Sequence, residues 1–186
     1  QAALGKQSHG LAAITELIMG LEIERRFLVT SDAWKSHAGP PQLLRQGYLA
    51  SSAEGVTVRM RLRAEDQAWL TLKASADPTG IARHEFEYNI PVSDAEDLWR
   101  LAPHRLEKIR YNLNLRGGEW VVDCFSAANA PLVLAEVELA RADVDLEIPD
   151  WCGREVTGQG RWSNALLASD PLQSWGAEER RIWGFA

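Results

Sequence analysis

Charged and apolar residues alternate along several short segments of the chain with a period of two. Side chains of a β-strand point to opposite faces in turn, so this period predicts strands with one charged and one apolar face. The charged positions are Glu22, Glu24, Arg26, Arg59, Arg61, Lys73, Glu85, Glu87, Lys108, Arg110, Asp123, Glu136 and Glu138. The positions between them include Ile23, Met60, Phe86, Ile109 and Val137. The pattern therefore predicts a sheet with one charged face.

Eight segments carry strand signals and are separated by short turns or loops. They span residues 21–29, 44–50, 56–63, 68–74, 82–90, 106–115, 120–125 and 132–139. Helices are predicted from Ser31 or Asp32, from Ser93 to Leu101, and from Ser163 to Ala168. Many short strands joined by tight turns favour an antiparallel barrel or a strongly curved sheet. We expect a mainly β fold, an eight-stranded antiparallel closed β-barrel with flanking helices.

A barrel built from these strands encloses the charged face and turns the apolar face outward. Exposed apolar area of that size is rare, so helices or the second copy of a homodimer must cover it, and the sequence leaves both open. Enclosed arginines and lysines suit phosphate, while enclosed carboxylates suit hard divalent metals. The combination predicts a site for a polyphosphate or a nucleotide complexed with magnesium.

Composition narrows the class of protein. A length of 186 residues predicts one domain, and 46% hydrophobic residues supply a sizeable core. The net charge of −6 argues against nucleic acid as a partner. No apolar run approaches the ~20 residues of a transmembrane helix. The two cysteines lack CxxC spacing and are typical of reduced thiols in a cytoplasmic protein.

The two ends of the chain differ from its middle. In residues 1–18 the apolar stretch is interrupted by Thr15 and Glu16, which is not typical of a secretory signal. We interpret residues 1–18 as a tag or an upstream extension outside the fold. The domain is predicted over residues 19–170, and residues 171–186 are interpreted as a C-terminal tail without a clear pattern.

The ordered set of charged motifs resembles a known family. Glu22-Ile23-Glu24-Arg25-Arg26 is similar to the ExExK opening of the CYTH, or triphosphate tunnel metalloenzyme, family. Later segments follow in the family's order: Arg59–Arg61, Thr71–Lys73, Arg83–Glu87, Glu107–Tyr111, Val122-Asp123 and Ala135–Glu138. The opening and the segment Leu44–Leu49 resemble the small bacterial inorganic triphosphatases most. The resemblance implies an eight-stranded antiparallel tunnel that binds triphosphate and a divalent metal.

Within this resemblance the charged residues divide into two sets. The residues predicted to bind a metal ion, Mg²⁺ or Mn²⁺, are Glu22, Glu24, Asp123, Glu136 and Glu138. Substrate binding is assigned to Arg26, Arg59, Arg61, Lys73, Glu85, Glu87, Lys108 and Arg110. Asp123 is either a ligand or a residue that orients one, and Glu85 and Glu87 either position the cations or contact metal.

Arg26 is the main departure from the family pattern. The family has a lysine at this position, and that lysine, with a tyrosine matching Tyr48, is thought to position or activate water. Arg26 and Tyr48 are therefore the candidate catalytic residues. An arginine remains protonated near neutral pH and cannot act as a base, although it still binds phosphate. The substitution affects water activation more than phosphate binding.

The predicted function is metal-dependent hydrolysis of tripolyphosphate, or of a nucleoside or organic triphosphate, to pyrophosphate and phosphate. Two alternatives stay open at the level of sequence. One is an adenylate cyclase, and the other is a non-catalytic module that binds polyphosphate or nucleotide. No Walker-type loop is present, so a nucleotide is not expected to bind in the P-loop manner.

Overall fold

The structure is a computed structural model that describes residues 21–51, 55–64, 66–75, 82–141 and 143–185. Within these ranges it leaves out the side chains of Leu21, Glu22, Ser75, Ala82 and Arg83. The interpretation of residues 1–18 and the assignment of the Glu22 carboxylate to metal therefore lie outside the described residues.

In the described part of the chain, antiparallel strands form one sheet that contains all eight predicted strands and a ninth. They are β1 (Leu21–Val29), β2 (Gln42–Ala50), β3 (Thr57–Arg63), β4 (Gln67–Ser75), β5 (Ala82–Asn89), β6 (His104–Leu113), β7 (Glu119–Phe125), β8 (Val133–Glu138) and β9 (Cys152–Glu155). Their order across the sheet is β5-β4-β3-β2-β6-β7-β8-β1-β9. The prediction of a mainly antiparallel β fold with flanking helices is confirmed.

Strand β1 brings the two ends of this series together. One edge of β1 pairs with β8 from Glu24 to Leu28. Residues 21–23 pair with residues 82–84 of β5, and from Phe27 onward β1 pairs with β9. The predicted fully closed eight-stranded barrel is therefore corrected. The seam between β1 and β5 covers three residue pairs, and β9 takes the place of β5 farther along the strand.

Among the described residues, three α-helices and several 3₁₀ turns accompany the sheet. The helices are α1 (Val92–Leu101), α2 (Asn164–Ser169) and α3 (Ala177–Ile182). The segment predicted to start a helix near Ser31 is a 3₁₀ turn over Asp32–His37. Ser163 caps α2, as its side-chain oxygen accepts a hydrogen bond from the Leu166 amide at 3.2 Å. None of the helices described is long and apolar enough to cross a membrane.

Helices and loops cover part of the outward apolar face. Helix α1 packs through Ala95 against Met60 and Leu62 of β3. On the opposite side, Trp34 and Trp151 belong to the cluster that covers the outer face of β1, β7 and β8. Of the apolar side chains that alternate with the charged residues, Met60 and Val137 are buried, whereas Phe86 and Ile109 remain 53% and 37% exposed.

The inward face has an apolar zone beside its charged zone. Leu28, Leu106, Phe125 and Leu134 lie on the same strand faces as the charged rows and are buried. They pack with side chains from the end of the chain: Trp162, Leu167, Leu172 and Trp175. The segment interpreted as a tail thus contributes the buried side chains of Leu172 and Trp175 to the core.

Candidate active site

The charged zone of the inward face borders a cavity of ≈ 560 Å³. The strand side chains that line it include Glu24, Arg26, Tyr48, Arg59, Arg61, Lys73, Arg110 and Glu136. Ser163 and the helix α2 form another part of the wall, through Asn164, Ala165, Leu166 and Ser169. Five of these side chains are lysine or arginine and two are glutamate, so the cavity carries an excess of positive charge. This excess is local, because the whole chain is acidic.

Strand register brings the lining residues together. Directly opposite residues of an antiparallel pair project from the same face with close Cβ atoms. Arg26 lies opposite Glu136, and Tyr48 lies opposite Arg59. The sheet therefore places predicted catalytic, metal and phosphate residues around one space, although they lie far apart in sequence.

Arg26 is buried, and its side chain donates three hydrogen bonds to described residues. Its Nε donates to Glu136 Oε1 at 2.8 Å, and its Nη2 donates to Glu24 Oε1 at 2.9 Å. Its Nη1 donates to the Trp162 carbonyl oxygen at 3.1 Å. Burial alone lowers the pKa of Arg26, but the charges of Glu136 and Glu24 outweigh it and raise the pKa above its usual value. Arg26 is therefore a permanent cation.

Glu136 is held between two arginines. Its Oε1 accepts from Arg26, and its Oε2 accepts from Arg110 Nη2 at 3.0 Å. Burial favours the neutral acid, yet the cations Arg26, Lys108 and Arg110 hold the pKa of Glu136 well below its usual range. The carboxylate is therefore charged at any pH near neutrality.

Lys108 and Asp123 lie behind the cavity wall. Both side chains are 0% exposed, and Lys108 Nζ donates to Asp123 Oδ2 at 2.5 Å. Lys108 also donates to Asn164 Oδ1 at 2.9 Å, while Asp123 accepts two bonds from Arg110. Lys108 and Asp123 thus support Arg110 and helix α2. Their direct contact with substrate or metal stays a prediction.

A second group of ion pairs lies on β3, β4 and β5. Arg59 Nη2 donates to Thr71 Oγ1 at 3.1 Å and lies 3.5 Å from both Glu85 Oε1 and Glu87 Oε2. Lys73 pairs with Glu85 at 2.9 Å, and Thr71 donates to Glu87 at 2.8 Å. Glu85 and Glu87 therefore contact the cations Arg59 and Lys73, and a role of either glutamate at the metal stays a prediction.

Arg61 has a different environment from the other arginines of the cavity. No hydrogen bond or ion pair joins its guanidinium to another residue in the described part of the chain, and its Nε is buried. Burial and the neighbouring cations Arg59 and Arg110 lower the pKa of Arg61 to about 10. Arg59 Nε and Gln46 Nε2 are also buried donors without an acceptor among the described residues. A bound anion would satisfy such donors, since a buried donor without an acceptor is costly.

Tyr48 is almost fully buried, and its hydroxyl donates to Gln46 Oε1 at 3.1 Å. Burial raises the pKa of Tyr48 to about 12, and the charges of Arg59 and Arg61 only partly oppose this. The phenol is therefore neutral near pH 7. Gln46 fixes its orientation toward one side of the cavity.

The carboxylates assigned to metal have different surroundings. Glu24 and Glu136 line the cavity, and the exposed Glu138 lies opposite Glu24 in the β1–β8 register. Within residues 21–185, as far as they are described, no group of three Asp, Glu, His or Cys side chains could hold a metal ion by itself. Magnesium is commonly bound by one or two carboxylates with substrate phosphates and water. Glu24 and Glu136 fit a hard divalent cation bound in that way.

Sequence reasoning missed several polar groups of the site. Gln46 and Thr71 lie on the predicted inward faces of β2 and β4, so strand periodicity could have identified them. Asn164 and the Trp162 carbonyl come from segments after the sheet, and no local pattern indicates that they meet Lys108 and Arg26.

Comparison with known proteins adds relatives that share most of the chain. The inorganic triphosphatase of Acetivibrio thermocellus is 40% identical over 158 residues, which are 84% of this chain and 98% of that protein. The inorganic triphosphatase of Nitrosomonas europaea is 38% identical over 152 residues, covering 79% of this chain and 96% of that protein. This chain therefore spans nearly the whole length of both.

Solved structures and a family model agree with these similarities. The structure of the inorganic triphosphatase NE1496 matches with a TM-score of 0.57 and 34% identity, covering 79% of this chain and 93% of that chain. The model of the CYTH domain matches residues 20–161. Because the family model matches most of the chain and the relatives share 38–40% of its sequence, the chain belongs to the CYTH domain family.

Proposed function

We propose that this chain hydrolyses inorganic tripolyphosphate to pyrophosphate and phosphate with a divalent metal ion. The observation that carries the proposal is Arg61, a cation without an acceptor among the described residues, beside Arg59 and Arg110 in the cavity. Like charges at this spacing repel each other, and a polyanion bound among them removes that cost. The relatives at 38% and 40% identity are named inorganic triphosphatases, which supports tripolyphosphate as the polyanion.

The cations of the cavity bind and orient the phosphate chain. Arg59, Arg61, Lys73 and Arg110 come from three different strands and surround the same space. Glu85 holds Lys73 at 2.9 Å, and Asp123 holds Arg110 through two hydrogen bonds. Donors fixed in this way need little reorganisation as charge develops, and catalysis of phosphoryl transfer depends mainly on such positioning.

Glu24 and Glu136 are the residues that would hold the divalent metal, and Mg²⁺ or Mn²⁺ suits their hard oxygen donors. Glu138, Asp123 and the undescribed Glu22 side chain stay predicted ligands. When bound, such an ion polarises phosphoryl oxygens and makes a water molecule more acidic. The family resemblance implies a divalent ion, and the choice between the two metals is part of the proposal.

Arg26 and Tyr48 orient groups around the attacked phosphate without removing a proton. The pKa of Tyr48 is about 12, and that of Arg26 is raised above an already high value. Neither side chain is a proton acceptor near neutral pH. The Tyr48 O–H donates to Gln46, and its oxygen lies beside Arg59, where it can orient the attacking water by accepting a hydrogen bond from it.

Turnover distinguishes hydrolysis from the two alternatives. An adenylate cyclase would release pyrophosphate from ATP and form a cyclic nucleotide, whereas a binding module would release nothing. The names of the two relatives favour hydrolysis. A cytoplasmic location and a homodimer stay predictions that accompany the proposal.

The test is an assay of purified protein with tripolyphosphate, ATP and thiamine triphosphate, each with Mg²⁺, with Mn²⁺ and with EDTA. We expect pyrophosphate and phosphate from tripolyphosphate with metal, and none with EDTA. Arg61→Gln should lose most of this activity. Arg25→Gln should retain it, because Arg25 pairs with Glu155 away from the cavity. Equal hydrolysis with EDTA, or none of the three substrates hydrolysed, would contradict the proposal.

A further inference from the structure

Arg26 lies between the two carboxylates that line the cavity. The guanidinium binds Glu24, Glu136 and the Trp162 carbonyl through three different nitrogens, at 2.8 to 3.1 Å. A guanidinium presents its donors in a fixed planar fork, so one arginine can make these contacts together. A lysine presents its donors from one nitrogen and does not reproduce this arrangement. The contacts therefore depend on arginine at this position.

The same carboxylate oxygens are the groups that a divalent cation needs. Glu136 accepts a guanidinium hydrogen bond on each oxygen, from Arg26 and from Arg110. Charge-assisted hydrogen bonds of this kind are strong, and a cation that binds Glu136 or Glu24 weakens them. Arg26 is 6% exposed, so it cannot simply turn into water when the carboxylates bind metal. A buried charge that loses its partner is costly unless another anion replaces it.

We propose that Arg26 competes with the divalent cation for Glu24 and Glu136, so that this chain binds its metal together with the triphosphate and not before it. Phosphate oxygens supply the anion to which Arg26 turns, and they supply further ligands for the metal. Two carboxylates line the cavity. A site with so few protein ligands is typical of a metal ion that binds together with the phosphates of its substrate, which is the order proposed here. The inference rests on the proposed triphosphatase function, and it makes Arg26 the residue that sets the metal affinity of the free protein.

The experiment measures metal binding directly. Free Mn²⁺ is followed by electron paramagnetic resonance during titration of wild type, Arg26→Lys, Arg26→Gln and the control Arg25→Lys. Arg25 is adjacent on β1 and makes an ion pair with Glu155 on the other face. Each titration is done without triphosphate and then with an imido-bridged triphosphate analogue that resists hydrolysis. Circular dichroism checks that each variant is folded, and Arg26→Lys keeps the charge if Arg26→Gln does not fold.

We expect wild type and Arg25→Lys to bind Mn²⁺ weakly alone and tightly with the analogue. Without the analogue, Arg26→Lys should bind Mn²⁺ at least about tenfold more tightly than wild type. The reason is that lysine replaces the strong guanidinium hydrogen bonds to Glu24 and Glu136 with weaker ones, which compete less with the metal ion. Equal or weaker binding by Arg26→Lys would overturn the proposal, since Arg26 would then support the metal site. If wild type binds no Mn²⁺ even with the analogue, the metal site itself fails. The proposed hydrolysis with metal is tested separately by product release.

Discussion

The Nζ of Lys108 lies 2.5 Å from Asp123 Oδ2 in an ion pair whose side chains are both 0% exposed. The pair joins β6 to β7, and the contact of Lys108 with Asn164 continues it to helix α2. Lys108 was expected to bind phosphate, as Arg110 two residues later does in our proposal. The two cations share one strand face but differ in depth, because helix α2 covers Lys108 while Arg110 lines the cavity.

Replacing Lys108 with methionine should destabilise the protein and change the pH dependence of its stability. Removing one partner of a buried ion pair costs about 3 kcal/mol or more, although Asp123 keeps its bonds to Arg110. Burial lowers the pKa of Lys108 to about 8 from 10.5, so between these values the unfolded chain binds more protons than the folded one. The free energy of unfolding should therefore rise with pH in this window for wild type relative to Lys108→Met.

Urea unfolding of both proteins below pH ~8 and again at higher pH measures this difference. The difference in the free energy of unfolding between wild type and Lys108→Met should be constant below pH 8, where Lys108 is protonated in the folded and the unfolded chain. A difference that shrinks as pH rises above 8 would mean that the pKa of Lys108 is raised by folding.

Arg59→Ala should weaken substrate binding more than turnover. Arg59 is buried at the cavity wall, and hydrogen bonds to charged groups contribute about 1.5–3 kcal/mol, which is on the order of tenfold or more in KM. Arg63→Ala is the matched control on the same strand. The Arg63 guanidinium pairs with Gln67 and does not line the cavity. Steady-state kinetics with tripolyphosphate measures KM and kcat for both variants. An equal rise in KM for both would mean that Arg59 acts through long-range attraction of the anionic substrate and not through direct contact.

Tyr48→Phe should lower turnover by about fivefold, the contribution of roughly one hydrogen bond of 1 kcal/mol. It should not change the shape of the pH profile. The pKa of Tyr48 is raised to about 12, so the phenol does not ionise over the ordinary assay range. The measurement is kcat against pH for both proteins between about pH 6 and 10. A basic group that titrates in wild type and disappears in Tyr48→Phe would assign proton removal to Tyr48.

Leu172→Ala should destabilise the fold by about 2–5 kcal/mol, because the side chain is 1% exposed within the apolar zone of the inward face. Ile182→Ala is the control in the same C-terminal segment. Ile182 is 63% exposed, and its replacement should change stability by about 0.5 kcal/mol at most. Urea midpoints measure both changes. If neither variant shifts the midpoint, residues 171–185 do not contribute to the stability of the domain.

Strand periodicity alone identified the eight strands and the side of each that faces inward. A period of two fixes the face of every strand residue once one face is buried. The side chains of Arg59, Arg61 and Glu136 were therefore correctly predicted to lie on the inward face, where they line the cavity. The same alternation carried the family resemblance. Local sequence was sufficient here because the face of a strand residue depends only on its neighbours in the chain.

Depth within the tunnel and closure of the sheet were decided by tertiary structure. Lys108 is buried because it contacts Asn164, which lies 56 residues farther along the chain. Arg110 does not make this contact and lines the cavity. Arg26 is fixed by the Trp162 carbonyl, which lies 136 residues away in sequence. The seam of β1 with β5 and β9 likewise joins distant segments. Sequence periodicity carries no information about position along the tunnel axis, since that position is set by the packing of segments that meet only in the folded chain.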